Sequence, residues 1–203
     1  MRKSFNIFKT KKGGYVKKKT VYLLGLAGAL VIGLSAFVQV KAQSKTKVTT
    51  VPSVDINRYA GKWYEIAKYP NRFQKQCVAN TTAVYNLTGG GNIDVINSCQ
   101  TQDGKIDEAT GKGKIADKKT YSKLKVRFAP GYLSFLPFVW ADYWIIDLEP
   151  NYQYAVVGTP SRDYLWILSR TPELDETTYQ EILNRVKEQG FDPNKLVKTP
   201  QNK

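Results

Sequence analysis

The chain has 203 residues, 42% of them hydrophobic, with a formal net charge of +14, and its length suits one domain with a sizeable core. The absence of histidine excludes Ser-His-Asp and Cys-His catalytic pairs and the common zinc sites, and no glycine loop of a phosphate-binding type is present. The sequence therefore predicts no catalytic residue, no metal site and no cofactor.

The chain begins with a basic and then apolar leader. Residues 1–20 contain eight Lys and Arg side chains and no acidic one, and residues 21–38 carry no charge. Small side chains follow at Val40 and Ala42, as at a signal-peptidase site. We therefore predict that residues 1–42 are a secretory signal cleaved after Ala42. The alternative is an uncleaved membrane anchor, since the apolar run approaches the ~20 residues that span a bilayer. In both cases the rest is exported, to the periplasm or another extracytoplasmic space.

The leader accounts for most of the net charge. Residues 1–42 hold nine of the 31 basic residues and none of the 17 acidic ones, so 22 basic and 17 acidic side chains remain in the other 161 residues. This mildly basic balance favours weak contact with anionic lipid headgroups, and we expect no nucleic-acid partner.

After a polar segment at 43–54, which we predict to be a flexible leader, and a turn at 55–61, short strand patterns follow one another. The clearest is 123–128, where Leu124, Val126 and Phe128 alternate with basic residues. The sequence predicts eight strands, at 63–69, 77–87, 93–99, 108–117, 123–128, 143–148, 152–158 and 164–170. Eight strands with short links are typical of an all-β, antiparallel up-and-down barrel, which closes and leaves no free edge.

One helix is predicted after the strands. Asp175 is its predicted N-cap, and the helix is predicted to end at Gly190. The apolar stripe between them consists of Tyr179, Ile182, Leu183 and Val186. A single amphipathic helix after a barrel must pack on the outside of the barrel, and residues 198–203 are predicted to form a loose tail.

These residues carry a family resemblance. Gly61-Lys62-Trp63-Tyr64, Asn151-Tyr152 and Arg170 resemble the three signature regions of the lipocalins. The segments 71–77 (NRFQKQC) and 164–172 (YLWILSRTP) are similar to the branch containing bacterial lipocalins, apolipoprotein D and plant temperature-induced lipocalins. The resemblance spans residues 55–197 and implies an eight-stranded barrel with an apolar cup. It also implies that Gly61, Trp63 and Arg170 are structural residues at the closed end, with the guanidinium stacked on the indole.

The cysteines depart from the family. Many relatives in this branch have a lipid-modified N-terminal cysteine, but none ends the apolar run here, and no cysteine follows Cys99 to pair as in animal members. Cys77–Cys99 is the remaining intramolecular pair. Simple hairpin pairing sets Cys99 opposite Thr81 or Thr82, so a disulfide, with Cα atoms within about 7 Å, requires a bulge or turn at Cys77. Without one, both thiols stay free.

Strand alternation, together with the resemblance, points a set of side chains into the barrel. The predicted ligand-binding residues are Thr81, Ala83, Val95, Asn97, Leu124, Val126, Phe128, Tyr143, Ile145, Val157, Tyr164 and Trp166. Such a cup suits an elongated apolar molecule; the alternative is a filled core with no cavity. The side chains that could hydrogen-bond a lipid headgroup are Tyr143, Tyr164 and Asn97. Arg127, near the rim, either contacts the headgroup as well or is simply exposed to solvent.

The link between the fifth and sixth predicted strands is unusually apolar. The segment from Tyr132 to Trp140 contains Leu133, Phe135 and Phe138, among others, and an up-and-down barrel places it at the open mouth. Three interpretations remain open: a lid over the mouth, a loop that dips into a bilayer, or a dimer contact.

The sequence therefore predicts an exported binding protein that holds a fatty acid, lysophospholipid or similar lipid. The resemblance further implies lipid transport or storage, or protection against membrane and oxidative stress. One alternative is a lipocalin-fold enzyme acting on a lipid or carotenoid. Another is a membrane-tethered interaction protein that uses the 132–140 segment. We expect a monomer or a weak homodimer.

Overall fold

The computed structural model describes residues 47–202. The predicted signal or anchor at 1–42 and the first part of the predicted flexible leader lie outside the described residues. Within 47–202, no helix is both long and apolar enough to cross a membrane.

The described chain forms one antiparallel sheet and two α-helices. The strands are β1 Gly61–Lys68, β2 Cys77–Gly89, β3 Asn92–Thr101, β4 Ile106–Ile115, β5 Lys123–Arg127, β6 Ala141–Leu148, β7 Tyr154–Gly158, β8 Leu165–Ser169 and β9 Val197–Lys198. The helices are α1 Ile56–Tyr59 and α2 Glu176–Glu188. Strands β2 to β8 pair in chain order, and β1 pairs with both β2 and β8. The sheet therefore closes, and the predicted eight-stranded barrel is confirmed.

Two apolar clusters hold the fold together. One fills the closed half of the barrel and includes Trp63, Ile93 and Ile145. The other lies between the barrel and α2, where Tyr179, Ile182 and Val186 of the predicted stripe pack on the outer face of β1, β6, β7 and β8. Inner and outer residues alternate along these strands, so each strand supplies both clusters. The same strands thus form both the barrel interior and the outer surface on which α2 packs.

Helix α2 begins and ends as its sequence predicts. The Asp175 side chain accepts a hydrogen bond from Thr178 N at 2.8 Å. Gly190 adopts a φ of 81°, a left-handed conformation typical of a helix C-terminus. Arg185 anchors the last turn of the helix to the barrel through Asp147 Oδ2 at 2.7 Å.

The prediction of a flexible leader is wrong for residues 47–54. Val48 and Val54 are 3% and 5% exposed. Val51 N donates to Ile145 O at 3.0 Å, and Val54 N donates to Thr120 O at 2.8 Å. Val48, Val51 and Val54 stand at every third position of an otherwise polar stretch, and each packs its side chain against the barrel.

The prediction of a loose tail is wrong for residues 198–202. Strand β1 pairs directly with β2 only over Gly61–Tyr64, and beyond that point the tail lies between the two strands. Thr199 N donates to Ile66 O at 2.9 Å, and Asn80 N donates to Pro200 O at 2.8 Å. Gln201 Nε2 bridges both strands, donating to the carbonyls of Glu65 at 2.8 Å and Thr81 at 3.0 Å. The tail pairs with backbone groups that the diverging strands leave without partners.

The predicted disulfide is confirmed. Cys77 and Cys99 are bonded, with their Cα atoms 5.5 Å apart. The register between β2 and β3 shifts between Cys77 and Ala79 and again between Ala79 and Thr82, and Asn80 adopts a φ of 54°. In a regular hairpin Cys77 would lie about four residues along the strand from the position opposite Cys99. These irregularities form the bulge that the hairpin spacing requires, and they bring Cys77 within bonding distance of Cys99.

The closed end is sealed by Arg170. Its guanidinium lies 3.7 Å from the centroid of the Trp63 ring. Its Nη1 donates to Lys62 O at 2.7 Å, and its Nη2 contacts the carbonyls of residues 58, 59 and 60 at 2.6, 3.2 and 3.0 Å. Trp63 Nε1 also donates to Tyr59 O at 2.8 Å. Gly61 has a φ of 91°, and a Cβ there would stand 3.6 Å from the guanidinium, so glycine suits both the backbone and the space.

We expect Arg170→Ala to lower the free energy of unfolding by about 1–3 kcal/mol, because the carbonyls of the α1 turn lose their donor while staying partly buried. Denaturant unfolding monitored by tryptophan fluorescence measures this. Arg72→Ala, which removes an arginine from a mouth loop, serves as the matched control and leaves stability unchanged. Equal stabilities for the two variants would contradict the sealing role.

Removal of residues 198–203 is expected to lower stability by about 1–3 kcal/mol, since buried backbone groups of β1 and β2 lose hydrogen bonds. Gln201→Leu keeps the chain length but breaks the bridge, and we expect a smaller loss in the same direction. Thermal melts compare both with Lys195→Ala, an exposed position in the preceding turn. A truncated chain as stable as the parent would show that the tail contributes nothing to the barrel.

Candidate ligand cavity

The open half of the barrel encloses a cavity of about 690 Å³. Its mouth is bordered by the loops at 71–76, 128–140 and 159–164, which connect strands at the same end of the barrel. A volume of this size lies within the range of roughly 300–1,000 Å³ that is typical of small-molecule sites. The alternative of a completely filled core is therefore wrong for this half of the barrel.

Ten of the twelve predicted ligand-binding residues line this cavity: Thr81, Ala83, Val95, Asn97, Val126, Phe128, Tyr143, Val157, Tyr164 and Trp166. Strand β2 alternates Thr81, Ala83 and Tyr85 toward it. Trp166 and Tyr164 stack with their ring centroids 5.8 Å apart and form one side of the upper wall.

Leu124 and Ile145 do not line the cavity, which corrects that part of the prediction. Leu124 faces a space of about 10 Å³ at the closed end, and Ile145 is completely buried in the core. Both point inward, as alternation requires, but they lie too deep. Alternation along a strand determines the face of a residue and leaves its depth in the barrel open.

Three tyrosines form the floor. Tyr143 OH donates to Tyr85 OH at 2.9 Å, and the hydroxyls of Tyr59 and Tyr143 are 2.6 Å apart. This hydrogen-bonded chain crosses the barrel interior and separates the cavity from the small space below. Burial raises the pKa of Tyr85 to about 12, and it raises the pKa values of Tyr59 and Tyr143 well above their usual value. All three hydroxyls therefore stay protonated at neutral pH.

A buried carboxylate, which the sequence analysis missed, lies in the wall. Glu65 is 3% exposed and lines the cavity. Its carboxylate accepts hydrogen bonds from Lys68 Nζ at 2.8 Å, Gln74 Nε2 at 2.7 Å and Thr199 Oγ1 at 2.6 Å. Its position two residues after Trp63 on β1 was the available signal, because both side chains must then point to the same face.

The Glu65 network also fixes the upper wall. Gln74 Oε1 accepts a hydrogen bond from Trp166 Nε1 at 3.1 Å and another from Asn71 Nδ2 at 2.9 Å. The indole is thereby tied to the loop between β1 and β2. Since Thr199 joins the same carboxylate, the tail, the mouth loop and the cavity wall form one connected polar network.

Arg127 is buried on the outer face of the barrel, so the interpretation of simple solvent exposure is wrong. It is 8% exposed, and its Cζ lies 5.2 Å from the centroid of the Trp140 ring, which covers it. Lys114 Nζ lies 4.2 Å from the same ring. Trp140 therefore packs the loop between β5 and β6 against the basic side chains of Lys114 and Arg127.

The rest of that loop faces outward. Tyr132, Phe135 and Phe138 are 76%, 77% and 79% exposed. Phe138 and its neighbour Val139 also border the cavity mouth. Three exposed aromatic rings beside an apolar opening are unusual for a soluble surface. They are not folded over the mouth as a lid would be.

The arrangement is suited to binding. Among residues 47–202 no group of three or more His, Cys, Asp or Glu side chains could hold a metal ion. The one basic side chain among the described lining residues is Arg72, on the mouth loop. The cavity can thus hold an elongated apolar body with its polar end at the mouth.

Comparisons with known proteins agree with this geometry. Residues 54–201 match the family model for a lipocalin-like domain. The chain is 42% identical over 160 residues to temperature-induced lipocalin-1 of Arabidopsis thaliana, covering 78% of this chain and 85% of that protein. It is 38% identical over 167 residues to the outer membrane lipoprotein Blc of Escherichia coli, covering 80% and 90%.

Mouse apolipoprotein D is 33% identical over 155 residues, covering 72% of this chain and 77% of that protein. Among solved structures, insecticyanin from the tobacco hornworm Manduca sexta is similar in fold, with a TM-score of 0.60, 24% identity, and coverage of 78% of this chain and 85% of that one. The barrel, its cavity and these relatives lead to one conclusion: the chain belongs to the lipocalin family, whose members bind small hydrophobic ligands.

Proposed function

We propose that this lipocalin is exported and binds a fatty acid, a lysophospholipid or a similar lipid in its barrel cavity. The single observation that carries the proposal is the cavity of about 690 Å³, open at one end, in which ten of the predicted ligand residues meet. Its lower and middle walls are mainly apolar, with Val95, Val126 and Val157 among them. Burial of about ten methylene groups contributes roughly 8 kcal/mol before entropic losses, which is sufficient for useful affinity.

Export follows from the basic and apolar leader, and the disulfide suits an oxidising compartment. One relative is named as an outer membrane lipoprotein, which agrees with an extracytoplasmic location near a membrane. Lipid transport or storage, or protection of a membrane under stress, would use the same reversible binding.

Contact with a membrane surface through residues 132–140 is the second part of the proposal. The exposed rings of Tyr132, Phe135 and Phe138 adjoin the mouth, so a lipid could pass between bilayer and cavity without crossing water. Lys114 on the adjacent outer face of β4, whose Nζ lies beside the Trp140 ring, favours an anionic surface. An aromatic loop beside basic side chains is a recurrent design for interfacial binding.

Binding is preferred here over turnover. Glu65, the buried carboxylate in the wall, already accepts three hydrogen bonds, so it is committed to structure rather than poised as a base. An enzyme of this fold would convert an added lipid or carotenoid. Recovery of the lipid unchanged and in stoichiometric amount would argue against that alternative.

Native mass spectrometry of the chain, purified gently from cells that export it, is expected to show a one-to-one lipid adduct. We expect Trp166→Ala to weaken acyl-lipid binding about tenfold or more, because a large apolar side chain is lost from the wall. Trp144→Ala, the same change on the outer face of β6, is the matched control and keeps the affinity. An empty parent protein that also refuses added lysophospholipid would exclude the proposed ligand class.

Vesicle co-sedimentation tests the membrane contact, using residues 43–203, which form a compact unit without the leader. We expect the parent to sediment with anionic vesicles and the double variant Tyr132→Ser/Phe135→Ser to remain in solution, because the variant loses two exposed aromatic rings. Leu87→Ser, at an exposed apolar position near the closed end, is the control. If the double variant and the parent sediment alike, the loop is not the contact, and a test of self-association by sedimentation velocity then addresses the dimer interpretation.

A further inference from the structure

One wall of the cavity carries polar side chains that lack hydrogen-bond partners within residues 47–202. Thr81 is 4% exposed, and its Oγ1 has no partner. Asn97, which also lines the cavity, makes no side-chain hydrogen bond within the described chain. A buried hydroxyl without a partner costs about 1–3 kcal/mol, so this wall is poorly explained as packing alone.

Tyr85 contributes to the same wall a hydroxyl group whose hydrogen is not donated within the described chain. Tyr143 donates its one hydroxyl proton to Tyr85. In the contact between Tyr59 and Tyr143, where the geometry allows either hydroxyl to donate, Tyr59 must therefore be the donor. The proton of Tyr85 is left at the end of the chain with no acceptor among residues 47–202. Because Tyr85 lines the cavity and burial keeps it neutral, this proton is available to a ligand oxygen.

The three groups form a row from the mouth side toward the floor. Thr81, Ala83 and Tyr85 alternate inward along β2, and Asn97 of β3 stands opposite Ala83. At ~3.3 Å per residue, Thr81 and Tyr85 are roughly 13 Å apart along the strand, with Asn97 about midway. The small side chain of Ala83 leaves the carboxamide accessible. We call Thr81, Asn97 and Tyr85 the polar row.

The other walls differ. Across the barrel the lining includes Val157, Trp166 and Leu168, whose polar atoms are absent or already paired. Tyr164, on the same side, carries a hydroxyl without a hydrogen bond in the described chain, but it lies in the loop at the mouth. The cavity is therefore amphipathic along its length: apolar on the side of β7 and β8 and polar on the side of β2 and β3. A plain hydrocarbon chain would pair with the first side and leave the second without partners.

The charges indicate which oxygen chemistry fits. Of the described lining residues, Arg72 is the one with a basic side chain, and it lies on the mouth loop. Lys68 is held by Glu65 at 2.8 Å. An ionised group beside the polar row would thus be buried with no cation, which is costly. A neutral oxygen meets no such penalty. It can accept a hydrogen bond from Tyr85 or Asn97, and a hydroxyl can in addition donate to Thr81 or Asn97.

We propose that the cavity prefers an acyl lipid whose chain carries a neutral oxygen function, such as a hydroxyl, ketone or epoxide, set against the polar row of Thr81, Asn97 and Tyr85. This inference rests on the proposed function and narrows its ligand class. The carboxylate or headgroup lies at the mouth near Arg72, the hydrocarbon packs on the β7 and β8 side, and the chain oxygen forms hydrogen bonds with the polar row.

The test compares octadecanoic acid with its mid-chain hydroxy and keto derivatives, by isothermal titration calorimetry on the chain as its cells process and export it. We expect the oxygenated acids to bind about tenfold more tightly, as one or two buried hydrogen bonds would give. Asn97→Leu, Thr81→Val and Tyr85→Phe each remove a polar group while keeping the volume. At least one of them should bring the affinities for the oxygenated and plain acids to within about twofold of each other.

Thr110→Val is the matched control for Thr81→Val, since it makes the same change on the outer face of β4 and should keep the preference. Equal affinity of the parent for plain and oxygenated acids overturns the inference and leaves the proposed function intact. Failure of the parent to bind any of the acids overturns both. A preference that survives all three substitutions also overturns the inference, because the selectivity would then come from elsewhere in the cavity.

Discussion

The Arg170 guanidinium holds the closed end of this barrel, and the rest of the structure depends on it. It lies on the Trp63 ring and donates to carbonyls from residues 58 to 62, so it joins the end of β8, the α1 turn and the start of β1 in one place. With the closed end sealed in this way, the opposite half of the barrel can stay open without losing its shape.

The cavity exists because large and small side chains are separated by depth. Below the hydrogen-bonded tyrosines, side chains such as Trp63 and Ile145 fill the interior almost completely. Above them, the inward positions of β2 and β3 include Ala83 and Asn97, which are too small to meet side chains from across the barrel. The tyrosine hydroxyls mark the boundary, since they give the floor a polar surface without introducing a charge.

The two ends of the described chain complete the barrel. Residues 47–54 cover the closed half, and residues 197–202 occupy the gap where β1 and β2 diverge near the mouth. Through Thr199 and Glu65, the tail is bonded to the same network that orients Trp166 in the cavity wall. A chain of hydrogen bonds therefore connects the C-terminal segment to the ligand site, although the two are far apart in sequence.

The sequence by itself determined the eight strands, the outer helix, the facing of most inward residues and the pairing of Trp63 with Arg170, because these depend on local periodicity and on a few family motifs. It could not give depth, so Leu124 and Ile145 were assigned to a cavity that ends above them. It also could not reveal that Val48 and Val54 pack on the barrel or that Gln201 bridges β1 and β2, because a few apolar residues in a short polar segment do not identify the partner that they contact. Only the tertiary structure decided these points, because depth in a barrel and the closing of a strand gap depend on which residues lie across the interior from one another.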